Sequence, residues 1–102
     1  MTKNTKLSSP NTAELEDLKI LFNKENYDLL EIKTKSLLQK YPNIAILYNI
    51  LGVALEKQGN LNQAISNFDQ AISINPKFFL AYNNLGNVMK NLGKFEQSLY
   101  HF

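Results

Sequence analysis

The four glycines of this chain fall into two pairs set 34 residues apart, Gly52 with Gly86 and Gly59 with Gly93. Pro42 and Pro76 keep the same spacing. Sliding the chain by 34 also superposes Tyr48-Asn49 on Tyr82-Asn83, Leu51-Gly52 on Leu85-Gly86, Gln63 on Gln97, and Phe68 on Phe102. Over residues 45–68 against 79–102, 7 of 24 positions are identical. Most of them are glycines or bulky apolar residues, the types that fix backbone and packing geometry. A period of this length marks an array of small units, each burying its apolar face only by stacking on its neighbours.

One period holds two helices. Ile44 to Leu55 is almost wholly apolar, as expected of a helix packed on more than one side. Lys57 gives a basic last turn, Gly59 a stop, and Asn60 a candidate N-cap for the next helix. Leu61, Ala64, Ile65, Phe68, Ala71 and Ile72 then recur at helical spacing. Asn75-Pro76 closes the unit, because proline removes a donor and biases its predecessor away from helical angles. The next unit is expected to run from Phe79 to Asn91, stop at Gly93, and start its second helix at Phe95. Gly52 and Gly86 fall inside first helices, at a cost of about 1 kcal/mol each against alanine. Small residues facing them, Ala64 and by phase Ser98, predict a close helix crossing.

Composition excludes much else. All 11 basic residues are lysine and the net charge is +2, so there is no arginine fork for phosphate or guanine and no strong pull toward nucleic acid or anionic lipid. Zero cysteines and a single histidine, His101, remove disulfides, thiolate metal sites and multi-histidine sites. No apolar run approaches the roughly 18–20 residues that span a bilayer. The first ten residues hold no apolar stretch of the kind a secretory signal needs and are expected to form a flexible tail. These features predict a cytoplasmic chain with no membrane, nucleic-acid or cofactor partner.

The 34-residue helix–turn–helix unit resembles the tetratricopeptide repeat. Residues 45–78 carry Tyr48 at the family's aromatic position, Leu51-Gly52 at its Leu-Gly pair, and Ala64, Phe68, Ala71 and Pro76 downstream. Residues 79–102 look like the same repeat, with Tyr82, Leu85, Gly86 and Phe102, truncated in its second helix. Residues 11–44 fit as a degenerate helix pair. Leu30, Leu37 and Pro42 are in phase there, but Glu14, Asp17 and Leu18 replace the aromatic, Leu and Gly. The resemblance implies an all-α fold, a right-handed superhelix of antiparallel helix pairs. Leu92, Phe95, Leu99 and Phe102 would then sit near an open apolar end, and three readings compete: a fragment of a longer array, which is favoured, self-association through that end, or marginal stability.

Repeats of this family usually bind peptide segments on the concave surface lined by first helices. By family phase the groove positions are Asn49, Val53, Lys57, Asn83, Asn87, Lys90 and Asn91, with Lys19 and Asn23 from the degenerate unit. An asparagine amide donates and accepts, so it suits a peptide backbone, although the 14 asparagines also populate loops and caps. Some members clamp a chaperone's C-terminal carboxylate with Lys and Asn on three successive first helices. Here those positions hold Leu15, Lys19, Ile50, Leu80 and Asn84, which lack the lysines such a clamp requires in this frame.

No catalytic constellation emerges. Glu14, Glu16 and Asp17 read as acids complementing a helix N-terminus. Lys33, Lys35 and Lys40 read as a solvated face, Tyr27, Tyr41, Tyr48 and Tyr82 as packing residues, and His101 as a helix-surface histidine. The chain is therefore expected to be a protein-binding scaffold and not an enzyme. The alternative is the recruiting arm of a larger enzyme, because Asn83-Asn84-Leu85-Gly86-Asn87 is similar to repeats of O-linked N-acetylglucosamine transferases and the array resembles those preceding bacterial glycosyltransferase, sulfotransferase or oxygenase domains.

Overall fold

The computed structural model describes residues 9–100. Their fold is all-α, five helices packed in chain order: α1 Thr12–Asn23, α2 Tyr27–Lys40, α3 Ala45–Lys57, α4 Leu61–Ile74 and α5 Phe79–Tyr100. Each helix packs on its sequence neighbour, and α5 reaches back over α4 to touch α3. The expected flexible tail lies, up to residue 8, outside the described residues, as do His101 and Phe102.

The period visible in the sequence is also a period of the backbone. At the α1–α2 turn the Glu25 and Asn26 amides donate to Phe22 and Leu21 carbonyls, both at 3.0 Å. At the α3–α4 turn, 34 residues on, the Gly59 and Asn60 amides donate to Glu56 and Leu55 carbonyls, both at 2.9 Å. Such paired bonds close a helix through a left-handed residue, here Glu25 (φ 56°) and Gly59 (φ 86°). The two following asparagines share one conformation, φ −90° and ψ 73° at Asn26 against φ −88° and ψ 71° at Asn60. The first helix pair thus reproduces the turn of the second without its glycine.

The expected break at Gly93 does not occur: α5 continues as one helix from Phe79 to Tyr100. Gly59 takes a left-handed φ of 86° and Asn60 after it leaves helical angles without a side-chain cap bond, whereas Gly93 is followed by Lys94, a good helix former. A lone glycine costs a helix about 1 kcal/mol and does not by itself end it.

Two apolar clusters form the core. Leu18, Leu30, Tyr41, Leu47 and Ala54 join α1, α2 and α3. Leu51, Leu55, Ala64, Phe68 and Val88 join α3, α4 and α5. The close approach expected at Gly52 is present but is made by a different residue. A Cβ on Gly52 would stand 2.5 Å from Phe68 Cε1, so it is the Phe68 ring, not Ala64, that occupies the space the glycine leaves. The same phase in the first pair places buried Leu18 where Gly52 stands and buried Thr34 where Phe68 stands, trading bulk between the two positions. Thr34 is satisfied by donating to the Leu30 carbonyl at 2.7 Å.

Polar ties hold the helices in register. Tyr41 Oη donates to Glu14 Oε1 at 2.8 Å and Lys40 Nζ to Glu14 Oε2 at 2.8 Å, joining the end of α2 to the start of α1. The Glu14 carboxylate also accepts from the Asn11 amide while the Asn11 side chain accepts from the Glu14 amide, a reciprocal helix cap. These donors, the Lys40 ammonium foremost, hold the Glu14 carboxyl down at about 2. Gln58 Nε2 links α3 to α2 through Glu31 Oε1 at 2.9 Å.

Candidate functional site

The first helices α1, α3 and α5 line one continuous groove of about 570 Å³. Each contributes a stripe at helical spacing: Leu15, Leu18, Lys19 and Phe22 from α1; Ile46, Asn49, Ile50, Val53 and Lys57, with Glu56, from α3; Leu80, Asn84 and Asn87 from α5. The spacing of three, four and seven brings these residues to one face of each helix. Stacking then repeats that face at 34-residue intervals, as with Lys19, Val53 and Asn87, or Ile46 and Leu80.

The groove floor is apolar and partly open to solvent. Phe22, Ile46 and Leu80 are exposed, at 42%, 43% and 55%. Lys19 and Lys57 bring positive charge to its lining, and Glu56 the only carboxylate among the lining residues. Asn84 Nδ2 donates to Asn49 Oδ1 at 3.0 Å, tying α5 to α3 across the groove. Asn49 is buried, so part of its hydrogen-bonding capacity is spent inside the fold, while Asn87 stands exposed.

Of the positions expected from sequence, Asn49, Val53, Lys57 and Asn87 line the groove. Lys19, from the degenerate unit, joins them, and Asn23 does not. Asn83, Lys90 and Asn91 are exposed on α5 outside the lining. Sequence reasoning missed the apolar half of the groove, Leu15, Phe22, Ile46, Ile50 and Leu80, together with Asn84. A signal for it was present, since Leu15, Lys19, Ile50, Leu80 and Asn84 are the positions tested for a carboxylate clamp, and all five face the groove. Among the described residues no cluster of His, Asp and Glu could hold a metal ion, and no helix is long and apolar enough to cross a membrane.

Comparison with known proteins meets this geometry. Residues 52–93 match the family model of the TPR repeat. The small glutamine-rich tetratricopeptide repeat-containing protein 2 of Saccharomyces cerevisiae is 33% identical over 91 residues, covering 85% of this chain and 26% of its own length. The chloroplastic tetratricopeptide repeat domain-containing protein PYG7 of Arabidopsis thaliana is 36% identical over 44 residues, covering 43% of this chain and 15% of its own. The chain therefore spans about a quarter or less of the curated relatives it matches. Neither relative's name carries a transferase, so the likeness to transferase arrays gains nothing from them. Repeats of this family serve in general as protein–protein interaction modules. With the match lying across α3, α4 and α5 and the same turn geometry recurring 34 residues earlier, the all-α fold of sequentially packed helices is consistent with a tetratricopeptide helical repeat.

Proposed function

We propose that the groove on α1, α3 and α5 binds an extended protein segment that presents apolar side chains to the floor and backbone amides to the asparagines. The observation that carries this reading is a row of solvent-exposed apolar residues, Phe22, Ile46 and Leu80, one from each of the three helices, gathered in a single concavity. Val53 and Ile50 extend the floor, Asn84 and Asn87 offer amides, and Lys19 and Lys57 favour an acidic residue or terminal carboxylate at the ligand's flank. Asn83, Lys90 and Asn91 would meet a ligand that runs on along α5. In this reading residues 11–44, 45–78 and 79–102 act as successive units of one binding surface, none of them catalytic, and the setting is cytoplasmic.

An arrayed library of fluorescein-labelled peptides, varied in apolar and acidic content, tests the proposal by polarisation. Peptides combining spaced apolar residues with an acidic flank should bind, and Val53→Asp or Ile46→Asp should weaken them at least about tenfold, the equivalent of about 1.4 kcal/mol. Binding left intact by both substitutions, with helicity unchanged, would move the site off this face.

A further inference from the structure

The groove proposed above as a peptide site has two seams between first helices, and their chemistry differs. Across the α3–α5 seam, Asn84 Nδ2 donates to Asn49 Oδ1 at 3.0 Å. One period earlier the same two positions hold Ile50 and Leu15, on either side of the α1–α3 seam. All four residues line the groove. Leu15 and Ile50 are half-buried hydrocarbon, whereas Asn49 is a buried polar side chain, 4% exposed. Thr34, also buried, is satisfied within its own helix; Asn49 is bonded to another. The groove therefore has an apolar station at one seam and an amide station at the next.

A carboxamide carries two N–H donors and an oxygen with two lone pairs. Two amides can close a ring by exchanging two hydrogen bonds, but Asn49 and Asn84 exchange one. Among the described residues no acceptor meets Asn49 Nδ2 and no donor meets Asn84 Oδ1. Yet no buried side-chain nitrogen or oxygen among them lacks a partner, so both atoms reach solvent, in the groove that their residues line. The open pair offers one donor and one acceptor side by side. A carboxylate would set its lone pairs against Asn84 Oδ1, and an ammonium its protons against Asn49 Nδ2. A hydrocarbon would cover both atoms and leave them unsatisfied, at the full cost of their desolvation. A side-chain carboxamide matches both, its oxygen accepting from Asn49 Nδ2 and its N–H donating to Asn84 Oδ1.

We infer that the Asn49–Asn84 pair is the specificity-determining element of the groove and reads a glutamine or asparagine side chain of the bound segment. The Leu15–Ile50 station takes an apolar side chain of the same segment. The two stations lie one helix spacing apart, about 8–10 Å for neighbouring helices. An extended segment advances about 3.3 Å per residue, so the two side chains stand about three residues apart in the ligand. Selection works by exclusion: the wrong side chain strands polar atoms of the groove, which discriminates more sharply than a lost apolar contact.

The probes are fluorescein-labelled serine–glycine decapeptides with an aspartate flank, each carrying one leucine and, two, three or four positions on, one glutamine. Companion peptides hold glutamate or methionine in place of the glutamine. With the full chain, polarisation should show the glutamine peptide of best spacing binding at least about tenfold tighter than either companion, the equivalent of about 1.4 kcal/mol. The side-chain amide resonances of Asn49 and Asn84 should shift as it binds. The double variant Asn49→Leu/Asn84→Ile rebuilds the first seam in the second. Replacing both partners of a hydrogen bond by apolar groups is nearly neutral for stability, so helicity should persist while the preference turns to the methionine peptide. Equal affinity of the native chain for all three side chains overturns the inference whether or not the amide resonances shift, since a shift without preference means that the pair reads ligand backbone. A glutamine preference that survives in the folded double variant, or no binding at millimolar peptide, overturns it as well. Where binding ignores the glutamine but is lost in Ile46→Asp, this inference fails and the groove stands; where it also ignores Ile46→Asp, both fail.

Discussion

Gly52 and Gly86 occupy the same phase of the same repeat, on helices that begin with the same apolar character, yet their surroundings are opposite. Gly52 is buried and touches the Phe68 ring so closely that even a methyl group would collide with it. Gly86 is exposed and faces open space. The residue is conditioned by its partner helix, not by its own. Where the chain turns back after the left-handed Gly59 into Asn60, the second helix returns over the first and the glycine becomes a socket. Where Lys94 follows Gly93 and the helix runs on, the same glycine is a bare notch.

The largest expected effect comes from emptying the occupied socket. Phe68 is fully buried, and Phe68→Ala should lose about 3–5 kcal/mol of unfolding free energy from lost transfer and the remaining cavity. Urea unfolding followed by circular dichroism measures it. A loss under about 1 kcal/mol would mean that the ring does not anchor α4 on α3.

Alanine at the two glycines should act with opposite signs. Gly52→Ala gains about 1 kcal/mol of helix propensity but drives its Cβ to 2.5 Å from Phe68, and relief requires moving a packed ring. A net loss of about 1–3 kcal/mol is expected. Gly86→Ala meets nothing and should stabilise dilute chain by up to about 1 kcal/mol. Parallel thermal melts at low concentration decide the matter, and equal shifts of the same sign would erase the contrast between the two regions.

How much of the fold and the groove is legible in the sequence follows from where the information is local. The period, the helix stripes and the Gly59 turn depend on spacing and on residues with strong backbone preferences, so the order of the residues alone reveals them. The continuity of α5 is not legible: the pattern predicts a stop at Gly93, and whether the chain turns there depends on the residue that follows, Asn60 in one unit and Lys94 in the next. The partner of Gly52 is not: small-on-small pairing with Ala64 is the simpler expectation, and a ring lying over a glycine is a three-dimensional fit. In the groove, family phase finds Asn49, Val53, Lys57 and Asn87 but also takes in Asn83, Lys90 and Asn91, which lie outside the lining, while Ile46 and Leu80 stay hidden as groove residues because they look like ordinary core residues until their exposure is known. Tyr41 packs as expected, but its hydroxyl bond to Glu14 spans 27 residues and no local rule reveals it.

That same Glu14 site sets a pH dependence confined to the first helix pair. Its carboxyl is held near 2, chiefly by the Lys40 ammonium, then by the Asn11 amide and the Tyr41 hydroxyl. A carboxyl lowered on folding contributes stability that is fully present above its unfolded value of about 4.5 and is lost as pH falls through about 2. Melting temperature should therefore fall by a few degrees between those pH values, and Glu14→Gln should flatten that part of the profile while lowering stability at neutral pH. A profile unchanged by the substitution would show that acid sensitivity lies elsewhere, Glu31 being the other carboxyl held down, by Lys35 first and then Gln58.

The smallest effect sharpens the comparison of the two turns. Glu25 takes the left-handed conformation that Gly59 takes one period later, with the same pair of closing hydrogen bonds. For a residue with a side chain that conformation costs roughly 1–2 kcal/mol, partly offset by the smaller entropy it loses on folding relative to glycine. Glu25→Gly should therefore raise stability by about 0.5–1 kcal/mol, and Gly59→Ala should lower it by a similar amount, although its Cβ would meet no atom within 4 Å. Chemical denaturation of the two variants side by side gives both values. A stabilisation by Glu25→Gly would establish that the first turn departs from the second in sequence only, and carries the strain of doing without a glycine.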